Sequence, residues 1–191
     1  TYNCLSVDGD TSTNDMVTVL SNGLAGNNEI ISDCDSFQTF KSVIYTVMRD
    51  LTKKLAKDGE GATKLVECIC RGVKDVDTAI IAAKSVIRSP LVKCAMYGAD
   101  ANCGRILCAL GYADADYDVS KADVYYISKA GKILVCENGF GLQFDEDLAK
   151  KILSEDEITI LVELHSGDAE ATAWGCDLTY DYVKINGDYR S

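Results

Sequence analysis

The stretch "DSFQTFKSVIYTVMRDLTKKLAKDG" at residues 35–59 carries the strongest structural pattern in the chain. Its apolar side chains recur at steps of three and four residues, at Phe37, Phe40, Ile44, Val47, Met48, Leu51 and Leu55. This spacing predicts an amphipathic helix over residues 36–57, with Asp35 or Ser36 as its N-cap and Gly59 just past its end. We expect this helix to form the layer that covers one face of a β-sheet.

On either side of this helix, the chain alternates between patterns typical of strands and patterns typical of helices. Strands are predicted at residues 16–23, 63–73, 122–128, 131–137 and 157–165, and from 169 onward. Helices are predicted at residues 75–89, 90–97, 100–111 and 145–153, with a final helix near 180 and an irregular polar tail. The mixed order predicts an α/β or α+β fold with helices layered on sheets. We divide it into residues 1–63, part of a larger sandwich, and residues 64–191, a smaller α/β unit.

The composition is that of a globular protein, with 47% hydrophobic and 26% charged residues in a chain of 191. The formal net charge of −11 argues against nucleic acids and anionic membranes as partners, because both select basic surfaces. The sequence contains neither an apolar run of about 18 residues nor a secretory signal pattern. We therefore expect a cytoplasmic protein. Because the first residue is Thr rather than Met, we also expect a processed product or a fragment.

The nine cysteines do not follow a disulfide or metal-binding pattern. Their number is odd, no two are spaced as Cys-x-x-Cys, and His165 is the only histidine in the sequence. Several lie in apolar segments such as "VECIC", "ILCAL" and "ILVCENG". We expect reduced, buried thiols in a cytosolic protein, and no disulfide framework or zinc site.

Two polar loops are candidates for a functional site. The first, "DGDTSTND" at residues 8–15, lacks the Gly and Glu that an EF-hand loop requires at its sixth and twelfth positions. A polar turn, whose side chains satisfy backbone groups, and a metal site of another kind both stay open. The second, "KDGEGATK" at residues 57–64, lacks the spacing of a phosphate-binding P-loop. Its Glu60 stands between two glycines, where a carboxylate is well placed to bind an ammonium group.

The remaining motifs do not identify a reaction. "GADANCGRI" at residues 98–106 is typical of a helix start, and His165 ends an apolar strand with no acidic or thiol partner nearby in sequence. The patterns G-x-S-x-G, H-E-x-x-H and G-x-G-x-x-G are absent. Thr1 raises one alternative, because an N-terminal threonine can act as a nucleophile that its own amino group activates.

Five segments, in this order, resemble the ornithine acetyltransferase (glutamate N-acetyltransferase) family of arginine biosynthesis. They are "SVDGDTSTND", "KDGEGATK", "GADANCGRIL", "ENGFGLQFDE" and "EATAWGCDLTYDYVKINGDYRS", and the resemblance extends from residue 2 to the end of the sequence. It implies a layered helix–sheet sandwich of the N-terminal-nucleophile type. It also implies a precursor that cleaves itself before a threonine into an α and a β chain, with this chain as the β chain lacking its N-terminal segment.

The resemblance further implies a reaction and its participants. In the family, the N-terminal threonine of the β chain takes the acetyl group of N2-acetylornithine and passes it to glutamate. This ping-pong transfer uses no metal and no bound cofactor, and acetyl-CoA is an alternative acetyl donor. The partner is the α chain of the same precursor, which supplies the oxyanion hole, and we expect an α2β2 assembly.

Three residues match positions that contact substrate in this family. Glu60 in "GEGATK" matches the carboxylate that binds the substrate amine, whereas Asn186 and Ser191 in "KINGDYRS" match C-terminal substrate contacts. The tail is therefore expected to return to the active site. Thr1 matches an ordinary residue, so we expect the nucleophile upstream of residue 1 and no catalytic residue within the chain. Two other functions stay open, a catalytically inactive substrate-binding homologue and an N-terminal-nucleophile amidohydrolase or aminopeptidase.

Overall fold

The computed structural model describes residues 1–189, and its strands form one mixed seven-stranded sheet. In chain order the strands are β1 (Leu5–Ser6), β2 (Leu65–Val73), β3 (Asp123–Ser128), β4 (Gly131–Glu137), β5 (Phe140–Gly141), β6 (Glu157–Glu163) and β7 (Ala169–Cys176). The helices are α1 (Asp35–Lys57), α2 (Val76–Arg88), α3 (Pro90–Tyr97), α4 (Cys103–Gly111), α5 (Glu146–Leu153) and α6 (Tyr180–Asp188). Across the sheet the strand order is β1-β7-β2-β6-β3-β4-β5.

The register of the sheet brings three distant segments to one end. β2 pairs with β7 in the antiparallel sense, with Leu65 opposite Cys176, so β2 begins where β7 ends. β1 pairs with β7 in the parallel sense, with Ser6 opposite Gly175. The chain after β1, the chain after β7 and the loop before β2 therefore leave the sheet at the same end. Both polar loops of the sequence lie here, next to the start of α6.

Helices cover both faces of the sheet. On one face α2 packs against β2 and β7, and Ala79 and Ala82 on this helix are fully buried. On the other face Ala56 at the end of α1 packs with Leu65 and Trp174 in a separate small cluster. The predicted α/β class with layered helices and sheet is confirmed. The predicted division between residues 63 and 64 stays a prediction; β1, from the first part, pairs with β7, from the second.

The long helix is confirmed, although its N-cap is Cys34 rather than the predicted Asp35 or Ser36. Its apolar residues do not share one face. Thr52 and Ala56 are buried and Ile44 and Met48 are half-buried, so this row of α1 faces the sheet. A second row, which we call the outer stripe, keeps 44% to 57% of each side chain exposed and consists of Phe40, Val43, Val47, Leu51 and Leu55. Neither α1 nor any other helix in the described part is long and apolar enough to cross a bilayer.

Two of the predicted elements are wrong. Residues 16–23 form no strand, and their apolar side chains are exposed, Met16 by 82% and Leu20 by 90%. A strand needs a paired neighbour and a buried face, and no strand of residues 1–189 lies beside this segment, so alternation alone does not create one. The tail is not irregular over residues 184–188, which extend α6, because the Thr179 cap starts a helix there. The other predicted helices and strands are present, with ends shifted by a few residues.

The prediction of buried thiols holds only for part of the cysteines. All nine are free, and the buried ones are Cys68, Cys70, Cys136 and Cys176. Burial raises the pKa of the Cys70 thiol to about 12, which leaves it protonated and unreactive at neutral pH. Cys94 and Cys108 are exposed, contrary to expectation, because each lies on the outer side of a short helix whose other side packs on the core.

Candidate substrate site

Asp177 fixes the glycine loop of residues 58–64 to the end of β7. Its side chain is buried, and its Oδ1 accepts hydrogen bonds from the backbone N–H groups of Thr63 at 2.8 Å and Lys64 at 2.9 Å. Its Oδ2 accepts a third bond, from the hydroxyl of Thr63, at 2.5 Å. Charge-assisted bonds of this kind are stronger than neutral ones. One carboxylate therefore holds the second half of the loop in a single conformation.

Two lysines near this loop donate hydrogen bonds from their ammonium groups to backbone carbonyl oxygens. The buried ammonium of Lys93 donates to the carbonyl oxygen of Cys176 and lies 3.6 Å from the Sγ atom of the same residue. Burial lowers the pKa of Lys93 because desolvation disfavours the charged ammonium. The ammonium of Lys64 donates to the carbonyl oxygens of Met96 at 2.6 Å and Leu153 at 2.7 Å. Both cations brace the backbone around the loop rather than face solvent.

Glu60 lies at the exposed tip of this loop, between two points of close approach. A Cβ on Gly59 would lie 2.8 Å from the Sγ atom of Cys176, so β7 packs directly against the backbone there. Gly61 has a positive φ of 64°, and a Cβ on it would lie 2.8 Å from the backbone nitrogen of Tyr182 on α6. Among the described residues, the Glu60 carboxylate forms no hydrogen bond or ion pair. A rigid loop thus presents this carboxylate to solvent.

The first polar loop is a turn stabilised by its own side chains. Asp8 accepts the backbone N–H of Asp10 at 2.9 Å, and Ser12 accepts that of Asn14 at 3.0 Å. These bonds agree with the polar-turn interpretation of residues 8–15. The second oxygen of Asp8 accepts a hydrogen bond from the hydroxyl of Tyr182 at 2.9 Å, which joins this loop to α6.

α6 places Asn186 in the same region as Glu60. The cap residue of this helix, Thr179, donates from its hydroxyl to the carbonyl oxygen of Gly61 at 2.8 Å, so the helix starts against the glycine loop. Asn186 is exposed about two turns after this cap, and its Nδ2 donates to the carbonyl oxygen of Tyr182 at 3.0 Å. The structure therefore brings Glu60 and Asn186 onto adjoining elements. The third predicted contact, Ser191, lies outside the described residues.

Similarity to one known family extends over the whole chain. The ArgJ family model matches residues 1–191. The chain belongs to the ArgJ family. It is 54% identical over 190 residues to "Arginine biosynthesis bifunctional protein ArgJ 1" of Clostridium acetobutylicum, and 51% identical over 191 residues to the ArgJ protein of Caldanaerobacter subterraneus. Each alignment covers 100% of this chain and 47% of the relative, so the chain spans about half the length of these curated relatives.

A solved ArgJ structure has the same fold as this ArgJ chain. The crystal structure of the ArgJ protein from Bacillus halodurans superposes with a TM-score of 0.92 at 42% sequence identity, over 99% of this chain and 87% of that chain. The predicted resemblance to the acetyltransferase family of arginine biosynthesis and the predicted layered sandwich are thus confirmed.

Sequence reasoning missed the residues that hold the candidate site together. Asp177, Lys93 and Tyr182 bond to residues 83 to 174 positions away in the chain, which no local pattern reveals. The only available signals were weak, a charged residue directly after an apolar strand and a lysine within an apolar helix. His165 does have an acidic partner, since its Nε2 lies 2.8 Å from an Asp123 oxygen, at the opposite end of the sheet.

Proposed function

We propose that this ArgJ chain is the β chain, or most of it, of an acetyltransferase that moves the acetyl group of N2-acetylornithine to glutamate. Its relatives are arginine biosynthesis bifunctional proteins by name, which supports a role in that pathway. The transfer runs in two half-reactions through an acetylated threonine that lies upstream of residue 1. The complete activity requires the part of the precursor outside this chain, because the chain spans only about half of its relatives.

The position of Glu60 beside α6 is the observation that carries this proposal. Its exposed carboxylate suits the free ammonium of acetylornithine, and charge-assisted pairing at that end would leave the acetyl carbonyl carbon at the other end for the nucleophile to attack. Asn186 on the adjoining helix offers an amide to the same substrate, with Ser191 as the third proposed contact. Threonine attack forms an acetyl ester and releases ornithine, and the glutamate amine then takes the acetyl group. Such transfer needs a nucleophile and oxyanion donors, and we propose no metal or bound cofactor.

Thr1 does not suit the role of nucleophile. Its hydroxyl oxygen is buried and without a hydrogen-bond partner among residues 1–189. Its carbonyl oxygen accepts the backbone N–H of Cys4 at 2.8 Å within a short 3-10 turn. A nucleophile must reach the acetyl carbonyl, whereas this hydroxyl points into the fold.

The outer stripe of α1 is the proposed contact with the α chain of the same precursor. A contiguous exposed apolar stripe of this kind is typical of a surface that packs against another protein segment. Leu51 and Leu55 also line an open groove of about 480 Å³ with Met16 and Val17, which extends the apolar surface. The relatives are about twice as long as this chain, so the other half of such a precursor is the segment that we propose packs against the outer stripe. We propose a cytoplasmic α2β2 assembly built on this contact.

Changing Val47 to Asp in the complete precursor should prevent stable association of the two chains, because the new carboxylate lies in the middle of the outer stripe and must lose its water on docking. Size-exclusion chromatography and co-purification of a tagged α chain measure the effect. Thr46→Asp is the matched control, since Thr46 is exposed but lies outside both apolar rows. Equal loss of association in both variants, or in neither, would contradict the proposed contact.

The reaction itself can be tested on the complete, self-cleaved enzyme by intact-protein mass spectrometry. With N2-acetylornithine alone, the β chain should gain one acetyl group on its threonine; added glutamate should remove it and form N-acetylglutamate. Residues 1–191 expressed alone should gain none, including at Thr1. Acetylation of Thr1 would overturn the assignment of the nucleophile. Release of free acetate without glutamate would favour an amidohydrolase. The absence of any acetylation would favour an inactive homologue.

A further inference from the structure

α6 is held to the rest of the chain by few contacts. None of its residues from Tyr180 to Asp188 is buried. The helix starts on Gly61 through the Thr179 cap, and the ring of Tyr180 meets that of Tyr97 edge to face with 5.7 Å between centroids. All of these contacts, with the close approach of Gly61 to the backbone of Tyr182, lie at the first turn of the helix, so they fix where it begins and constrain its direction less.

A hydrogen bond from Tyr182 to Asp8 supplies the missing constraint. The hydroxyl of Tyr182 donates to one oxygen of the Asp8 carboxylate at 2.9 Å, while the other oxygen accepts the backbone N–H of Asp10. The next residue, Gly9, is held in turn, since its carbonyl oxygen accepts a hydrogen bond from Arg88 on α2 at 3.3 Å. The Asp8 bond raises the pKa of Tyr182 to about 12, so the phenol keeps the proton that it donates.

The same tyrosine is linked directly to a proposed substrate contact. The carbonyl oxygen of Tyr182 accepts the side-chain amide of Asn186, one helical turn further on. A pivot of α6 that breaks the Asp8 bond therefore moves Asn186 relative to Glu60, which lies next to Gly61 on the fixed loop.

We propose that Tyr182, through its hydrogen bond to Asp8, is a positioning residue that sets the direction of α6 and so places Asn186 for substrate binding. This inference rests on the proposed function, in which Asn186 contacts N2-acetylornithine. The polar turn at residues 8–15 thereby has a role in the site without touching substrate. Because both partners lie near the surface, the bond stabilises the fold little, and its loss should appear in substrate binding rather than in folding.

The test is steady-state kinetics and thermal melting of the complete enzyme. Tyr182→Phe should raise KM for N2-acetylornithine by roughly three- to tenfold, with kcat within about twofold and an unchanged Tm. Asp8→Ala should raise KM at least as much, because it removes this bond and also the acceptor of the Asp10 N–H group. The double variant should do no more than Asp8→Ala alone, because the bond between Tyr182 and Asp8 is already broken. Asp8→Asn keeps an acceptor oxygen and should recover most of the loss. Tyr180→Phe is the matched control on the same helix and should leave KM unchanged.

The outcomes separate this inference from the proposed function. If Asn186→Ala raises KM and Tyr182→Phe does not, the positioning role is wrong while the substrate contact stands. If Asn186→Ala leaves KM unchanged, the substrate contact itself fails, and a rise in KM with Tyr182→Phe would then have another cause. A fall in Tm without a rise in KM, or additive effects of Tyr182→Phe and Asp8→Ala, would also overturn the inference.

Discussion

Replacing Glu60 by alanine in the complete enzyme should raise KM for N2-acetylornithine by about 10- to 100-fold, with kcat at saturating substrate within a few fold. Glu60 is the exposed carboxylate of a loop that β7 and α6 hold on either side. Without it the substrate ammonium enters the site unpaired. The loss of this pairing weakens the binding of the substrate and of the transition state by the same amount, so KM rises while kcat changes little. Steady-state kinetics with N2-acetylornithine as the varied substrate measures both constants.

Two variants sharpen this test. Asp58→Ala removes another exposed carboxylate two positions away, so it controls for the general loss of negative charge near the site. Its KM should stay close to that of the unmodified enzyme. Glu60→Gln keeps the size of the side chain and removes only its charge, so it should resemble Glu60→Ala. An unchanged KM in Glu60→Ala, or an equal rise in Asp58→Ala, would remove Glu60 from the substrate site.

The elements of the fold could be predicted where local pattern and packing agree. The apolar run of β2 specifies a strand within a few residues, and the structure contains that strand. Asp75 and Ser89 are residues that favour a helix start, and each caps a helix in the structure. Residues 16–23 also carry a pattern that predicts a strand, and they form none, because a strand needs a paired neighbour as well as suitable residues. In α1 the periodicity identified a helix, but it did not show that one apolar row packs against the sheet while the other stays exposed. The outer stripe depends on what packs against the helix.

The candidate site also contains one residue that local sequence could predict and others that it could not. Glu60 could be found from sequence, because a carboxylate between two glycines in a loop is an unusual local arrangement. The residues that support it could not, because their effect arises only when the register of β2 against β7 brings residues 63–64 beside Asp177. An aspartate after a strand is ordinary in sequence. Its importance comes from burial and from three donors that converge on it.

The burial of Asp177 predicts a large effect on stability. Replacing Asp177 by alanine should lower the free energy of unfolding by about 3 kcal/mol, since the Thr63 and Lys64 backbone N–H groups and the Thr63 hydroxyl all lose their acceptor. In a protein about twice as long as this chain, as its relatives are, such a loss corresponds to a Tm roughly 3–6 °C lower. Differential scanning calorimetry of the complete enzyme measures it. The freed loop should also raise KM for N2-acetylornithine, because it no longer holds Glu60 in place.

Asp177→Asn separates the hydrogen bonds from the bulk of the side chain. The amide keeps one oxygen for the two backbone donors, so its Tm should fall by less than half as much as that of Asp177→Ala. Asp114→Ala removes an exposed carboxylate at the surface and should leave the Tm within about 1 °C. If Asp177→Ala melts like the unmodified enzyme, water replaces the lost acceptor and the loop does not depend on this carboxylate. In that case the loop that carries Glu60 must be held in place by the close packing of Gly59 and Gly61 alone.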